Sequence, residues 1–357
     1  MLQEEVKFLL EELRCQGAVI SDSDYTKYFD EAAGIIGFYV KEKDNSVVAL
    51  YVDNVGDKPL EDASVLNLRH TFLNLGGPLP GVMEKAARPA HPNRYRIGLK
   101  VDNSFPPTVE GSLAGTVLNK CNLHTYAMSA NHVIWMNGWA RTGERIVLDP
   151  FDAPPQTVIG RVPPPAEWPD RHLVGGLYAN TTQEVAFARL TRDVFFSCKK
   201  QNKPEPVRQP IEVKPRREVF RADIGSTATV VSTNFCFGLR MEFGRFLFTN
   251  QLLLRSTGSF AERGDSGTLL FQQDHNGVPC PVAMLWAGMP DEPEHPNLYV
   301  ATPLHKLFDD EHLEFMGYLT PEQFQRNVAR QVGAPHKPGM PMSQQQKYDL
   351  DDDCPDQ

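Results

Sequence analysis

The chain has 357 residues, 41% hydrophobic and 23% charged, which supports ordinary packed cores and is long for one small domain. Its formal net charge of −9 excludes a dedicated nucleic-acid binder, since such proteins need a basic footprint to neutralise phosphates. No stretch approaches the roughly 18 apolar residues of a membrane-spanning helix, so a helical membrane protein is excluded as well.

In chain order, Met1-Leu2-Gln3-Glu4-Glu5-Val6 lacks the basic start and unbroken apolar run of a signal peptide. The six cysteines (Cys15, Cys121, Cys198, Cys236, Cys280, Cys354) are scattered, with no Cys-x-x-Cys pair. Free thiols and an intracellular, cytoplasmic or nuclear, protein are expected. Leu2, Val6, Leu9, Leu10 and Leu13 recur at helical spacing and predict an amphipathic helix; residues 25–33 are a second helix candidate. Ile35–Val40 and Val47–Val52 flank the polar turn Lys43-Asp44-Asn45-Ser46, a hairpin signal. Residues 1–85 therefore read as a small α/β unit without evident chemistry.

From about residue 95 the pattern changes to short β-rich segments punctuated by Gly and Pro, as expected of a sandwich or barrel. Segments 267–272 and 281–286 flank Asn276-Gly277, a strong hairpin turn. Residues 149–169 read as a Pro-rich surface loop. Residues 199–219 read as a linker, because Lys199 to Arg217 is polar and holds Pro204, Pro206, Pro210 and Pro215. Leu304, Leu307 and Phe308 predict a helix within 304–333. The acidic, Pro- and Gln-rich tail 334–357 is expected to be disordered.

The chemistry centres on Arg263-Gly264-Asp265-Ser266-Gly267-Thr268. A serine nucleophile needs an exposed Oγ on a tight turn, and flanking glycines permit dihedrals closed to other residues. The N–H groups of Gly264 and Ser266 would then converge on an oxyanion. An ordinary β-turn explains the same four residues. Upstream, the apolar strand Tyr126-Ala127-Met128 ends in Ser129-Ala130-Asn131-His132, making His132 a candidate general base. The order His, acid, Ser is one of several known for this geometry.

These motifs resemble the chymotrypsin/trypsin family, with Ser129-Ala130-Asn131-His132 standing where that family has its small-small-His signature. The likeness runs over about residues 88–315. It is nearest to the intracellular trypsin-like proteins of bacteria, fungi and plants, including the plant Narrow Leaf 1 type. It implies a mostly β fold: a chymotrypsin/trypsin-like double β-barrel over 86–333, preceded by the small N-terminal α/β unit. The first six-stranded barrel would span about 95–198 and the second about 220–303, with the site between them. The family's acid is usually an Asp before a short apolar strand; here Glu184 of Gln183-Glu184-Val185-Ala186 stands there, and Asp193 is the other carboxylate open to that role. The acid would accept the Nδ1 proton of His132. Phe260, six residues before Ser266, falls at the expected floor of the specificity pocket, lined further by Trp286, Ala287 and Gly288. An apolar preference at the cleaved position follows.

The resemblance implies a serine endopeptidase with a Ser266-His132-Glu184 triad. Its partner would be a protein or peptide substrate, and no metal or organic cofactor is needed. Val133 stands where secreted members place a half-cystine, and no activation-cleavage site precedes the first barrel. The rival readings are a scaffold of the same fold serving as a protein-interaction module, and an esterase or self-processing protease acting on its own chain.

Overall fold

The computed structural model describes residues 19–20, 29, 35–41, 47–51, 70–74, 81–82, 96–100, 110–135, 142–148, 157–162, 173–174, 177–178, 184–190, 208–221, 224–241, 244–258, 260–262, 264–288, 297–310 and 312–317. The helices expected at 2–13 and 25–33, the loop 149–169 for the most part and the acidic tail lie outside the described residues. The architecture is mostly β and almost wholly antiparallel, as the sequence predicts.

Two sheets dominate. The first has eight strands in the order Leu313–Gly317, Gly115–Asn119, Thr125–Ser129, Ala186–Leu190, Thr157–Arg161, Arg145–Leu148, Arg96–Lys100 and Glu110–Ser112. The second has eleven. Six of these (Gly244–Ser256, Asn297–Pro303, Pro279–Gly288, Leu269–Gln273, Glu218–Arg221 and Thr227–Met241) form a ring, because Thr227–Met241 also pairs with Gly244–Ser256. Closure removes the open edges of those strands. The two longest strands carry three register shifts between Val230 and Phe237, and such bulges bend a strand enough to turn a barrel corner.

The hairpin expected near residues 35–52 forms as Ile35–Val40 against Val47–Tyr51. It does not stand apart, because Phe38 pairs with Cys236 and extends the second sheet. His70–Asn74 adds a parallel strand beyond it. Val19–Ile20 pairs with Phe246 and Arg245 on another edge. The described part of the N-terminal region is thus woven into the second sheet. At the other end, the helix expected after residue 304 is His305–Asp310, and Leu313–Gly317 then returns to pair with Gly115–Asn119 of the first sheet. The later part of the predicted linker lies against the ring: Ile211 N–H donates to the Pro281 carbonyl and Arg216 N–H to that of Val230.

The apolar run Val282–Ala287 explains how the lobes share a core. Val282, Ala283 and Leu285 face the ring interior with Leu252, Leu254, Leu270 and Tyr299. Met284, Trp286 and Ala287 belong instead to the cluster that takes in Val117, Tyr126, Met128 and Phe187 of the first sheet. A strand buried on both faces reads as continuous apolar sequence, which is what stands here. Among the described residues no helix is long and apolar enough to cross a membrane.

Candidate active site

His132 and Glu184 are brought together by strand register. Thr125–Ser129 and Ala186–Leu190 are antiparallel neighbours, with Ser129 opposite Ala186. His132 follows Ser129 by three residues on the short helix Asn131–Ile134, and Glu184 precedes Ala186 by two, so both leave the same end of one ladder. Glu184 Oε1 lies 2.7 Å from His132 Nδ1 and accepts the backbone N–H of His132 at 2.8 Å. The same carboxylate oxygen thus holds both the ring and the helix that carries it. Both side chains are buried, at 0% and 1% exposure. A buried carboxylate on Nδ1 fixes the tautomer and leaves Nε2 as the reactive nitrogen. Asp193 lies outside the described residues.

The Ser266 turn is built as the glycines predict. Gly264 and Gly267 have φ of 91° and 96°, conformations that disfavour other residues. A Cβ on Gly267 would stand 2.1 Å from the Ser112 carbonyl oxygen and 2.4 Å from Ser129 Oγ, so any side chain there would break the approach of the two lobes. That approach is fastened by serines. Ser129 Oγ donates to the Ser112 carbonyl at 2.7 Å, Ser112 N–H to the Ser266 carbonyl at 2.6 Å, and Ser112 Oγ to the Gly264 carbonyl at 3.2 Å. The strand that delivers His132 is therefore tied, through Ser112, to the turn that delivers Ser266.

Ser266 itself is fully buried, and its Oγ donates to the Trp286 carbonyl at 2.9 Å. His132 Nε2 is buried and has no hydrogen-bond partner among the described residues. His132 and Glu184 are thus in contact, and the Ser266 hydroxyl is turned onto the neighbouring strand.

Asp265 faces the barrel interior and forms a buried ion pair with Arg221 Nη1, the two groups being 2% and 1% exposed. Asp265 Oδ2 also accepts the Glu262 N–H at 2.9 Å, and Arg221 Nη1 donates to the Phe260 carbonyl at 2.8 Å. A cation from the middle of the chain thus fixes the turn from beneath. Sequence reasoning missed Arg221; the only signal was a charge inside the strand Glu218–Arg221, and nothing local names its partner. It also missed Gln251 and Thr302. Thr302 Oγ1 accepts the Glu184 N–H at 3.3 Å and donates to Gln251 Oε1 at 2.8 Å; Trp286 Nε1 donates to the same Oε1 at 3.0 Å. A buried polar chain therefore runs from the Glu184 backbone to the strand that holds the serine.

Of the residues expected to line the pocket, Phe260 and Trp286 have fully buried rings. Phe260 packs on Tyr299 with centroids 5.3 Å apart, and Trp286 on Phe248 at 4.7 Å. Both rings are committed to core packing. Ala287 and Gly288 continue the strand beyond Trp286, next to the Ser266 turn. Three cysteines, Cys121, Cys236 and Cys280, carry free thiols. Burial pushes the Cys236 thiol up to about 12, too high for a thiolate near neutrality. Among the described residues no group of three or more His, Cys, Asp or Glu side chains is placed to hold a metal ion.

A buried histidine–carboxylate pair is thus tied to a Gly-Asp-Ser-Gly turn. No family model matches the chain, and no curated protein matches it. Among solved structures it is similar to Nocardiopsis protease, NAPase, at 12% identity and a TM-score of 0.38, over 64% of this chain and 98% of that one. It is also similar to Cellulomonas bogoriensis chymotrypsin, at 15% identity and 0.36, over 63% and 97%. A third is a glutamic acid specific serine protease that utilizes a histidine triad in substrate binding, at 10% identity and 0.38, over 63% and 98%. The chemistry of the site rests on its own side chains.

Proposed function

We propose that the chain is a serine endopeptidase of the trypsin-like type, with Ser266 as nucleophile, His132 as base and Glu184 as the orienting acid. The observation that carries this is the 2.7 Å contact between His132 Nδ1 and Glu184 Oε1, both buried, at the ladder end tied through Ser112 to the Ser266 turn. In the reaction, Ser266 Oγ turns from the Trp286 carbonyl to His132 Nε2. That exchanges one hydrogen bond for another and costs no more than about 0.5–1.5 kcal/mol. Oγ attacks the peptide carbonyl and His132 takes its proton, while Glu184 stabilises the imidazolium. The N–H groups of Gly264 and Ser266 receive the oxyanion. His132 then protonates the leaving amine, and a water repeats the sequence on the acyl-enzyme.

The proposal extends to specificity. Asp265 is committed to Arg221, and Ala287 and Gly288 bring no charge beside the turn. A Lys or Arg side chain desolvated there without a counter-charge would cost roughly several kcal/mol, whereas burying a medium apolar side chain gains about 1.5–3 kcal/mol. Cleavage after Ala, Val, Leu or Met is expected in a peptide library. A preference for Lys or Arg would overturn this part alone.

The test of the central claim is covalent. A fluorophosphonate should label wild type at Ser266 and should label neither Ser266→Ala nor His132→Ala. Labelling at another serine with Ser266 untouched would remove the assignment. One observation favours the rival of a non-catalytic interaction scaffold, namely that Ser266 Oγ is bonded to Trp286 and His132 Nε2 to no group among the described residues. Under that reading no serine is labelled.

A further inference from the structure

One edge of the strand Pro279–Gly288 carries, in order, a partner strand, the Ser266 turn and the Ser266 hydroxyl. Leu269–Gln273 pairs along it and ends with Leu269 opposite Met284. The nucleophile turn comes next, with Leu285 N–H donating to Thr268 O at 2.9 Å and Gly267 N–H to Leu285 O at 2.7 Å. Ser266 Oγ follows, on the Trp286 carbonyl at 2.9 Å. The opposite edge is already taken, because Val300 pairs with Ala287 and Tyr299 with Gly288. Beyond Ser266, the backbone of Ala287 and Gly288 would offer open donors and acceptors on the first edge. An extended peptide could add there as a strand, and β-augmentation is a standard way to hold a peptide backbone.

That place is filled by the chain itself. Gly81–Val82 pairs antiparallel with the strand, Val82 opposite Ala287 and Gly81 opposite Gly288. It is the next occupant of the edge after Ser266, antiparallel to the strand as an added peptide could be. In the same structure His132 and Ser266 are both fully buried. The tether is short, since the first-sheet strand Arg96–Lys100 begins fourteen residues after Val82. A short tether holds a weak strand at high effective concentration without any strong contact.

The geometry points to Gly81–Val82 as a resident pseudosubstrate: the N-terminal region occupies the substrate edge of Ala287–Gly288 in cis, and an incoming peptide must displace it. This rests on the proposed peptidase activity, and the test below separates the two claims.

The experiment uses the full chain with Gly81→Pro and Val82→Pro made singly. Ladder bonds alternate along an antiparallel pair, and proline removes the donor, so at least one of the two variants breaks the pairing. Two quantities are read: the rate of fluorophosphonate labelling at Ser266, and hydrogen exchange in the peptide that spans Ala287 and Gly288. At least one variant should label about tenfold faster or more, the gain expected when a tethered competitor is released. The same variant should lose exchange protection at Ala287–Gly288. Adding the synthetic peptide of residues 78–85 (Pro-Leu-Pro-Gly-Val-Met-Glu-Lys) should slow its labelling again. Lost protection with an unchanged or slower labelling rate would overturn the proposal, because the segment would then be a structural staple. Unchanged protection in both variants would overturn it as well. If no chain labels at Ser266, the peptidase reading fails, and exchange alone decides whether Gly81–Val82 occupies the edge.

Discussion

Replacing Arg221 by Met tests whether the Ser266 turn is held from below. Arg221 is 1% exposed and pairs with Asp265, which is 2% exposed. Met keeps much of the volume and removes the charge. Asp265 would then be a buried carboxylate that has lost its cation while keeping the Glu262 N–H at 2.9 Å, and the Phe260 carbonyl would lose its Arg221 donor. Breaking a buried pair from one side costs about 3–5 kcal/mol, because the other charge stays behind. At roughly 2–4 °C per kcal/mol for a protein of this order of size, the melting temperature should fall by roughly 10 °C. The double variant Arg221→Met/Asp265→Asn removes both charges and should recover about 2 kcal/mol of that loss, which a double-mutant cycle in urea would measure. Labelling of Ser266 in Arg221→Met, measured where the variant is still folded, should be slower by about tenfold or more, since a loosened Asp265 displaces the Gly264 and Ser266 donors. A single variant within 1 kcal/mol of wild type, or a cycle with no coupling, would refute the reasoning.

Glu184→Gln should keep the fold and lower turnover by about 10³–10⁴, because a neutral amide no longer stabilises the imidazolium or enforces its tautomer; full activity in Glu184→Gln with an inactive Asp193→Asn would move the acid to Asp193. Thr302→Val removes the hydroxyl between Glu184 N–H and Gln251. It should cost about 1–3 kcal/mol in chemical denaturation for the orphaned buried group, with Thr302→Ser restoring it. Asp274 accepts the N–H of Val278 at 2.9 Å and of Asn276 at 2.8 Å, and the Val278 bond above all holds its carboxyl below the ordinary carboxylate range. The sign follows: this support of the turn is complete above the ordinary carboxylate value and is lost as acid carries the pH down through the lowered one. Asp274→Asn should therefore flatten the acid limb of the melting-temperature profile, and an unchanged limb would show that the turn does not use the charge.

How much of this was legible beforehand divides by range of interaction. His132 and Ser266 stand in local motifs, and Gly264 and Gly267 announce the turn by their residue type. Glu184 is singled out by its place before an apolar strand, and the ladder that pairs Ser129 with Ala186 is what brings that place to His132. Phe260 and Trp286 fell at pocket positions by spacing, but spacing does not tell which face of a doubly buried strand a ring takes. Arg221, Gln251 and Thr302 were invisible because their partners lie 44, 51 and 118 residues away along the chain. The N-terminal hairpin is legible as a hairpin, and its partner in the second sheet is not, since edge-to-edge pairing leaves no mark on local periodicity.

The routing of the two chain ends bears on what a protease would make of this protein. Strands from before residue 83 complete the sheet built mainly from the second half, and Leu313–Gly317, from the far end, completes the sheet built mainly from the first. A single cut between residues 190 and 208 would sever the backbone between the lobes without freeing either, because each fragment would keep a strand belonging to the other's sheet. The nicked molecule would persist as a non-covalent heterodimer, one band in native electrophoresis and two after denaturation. The two fragments, made separately, should aggregate alone through their unpaired strand edges and fold when mixed.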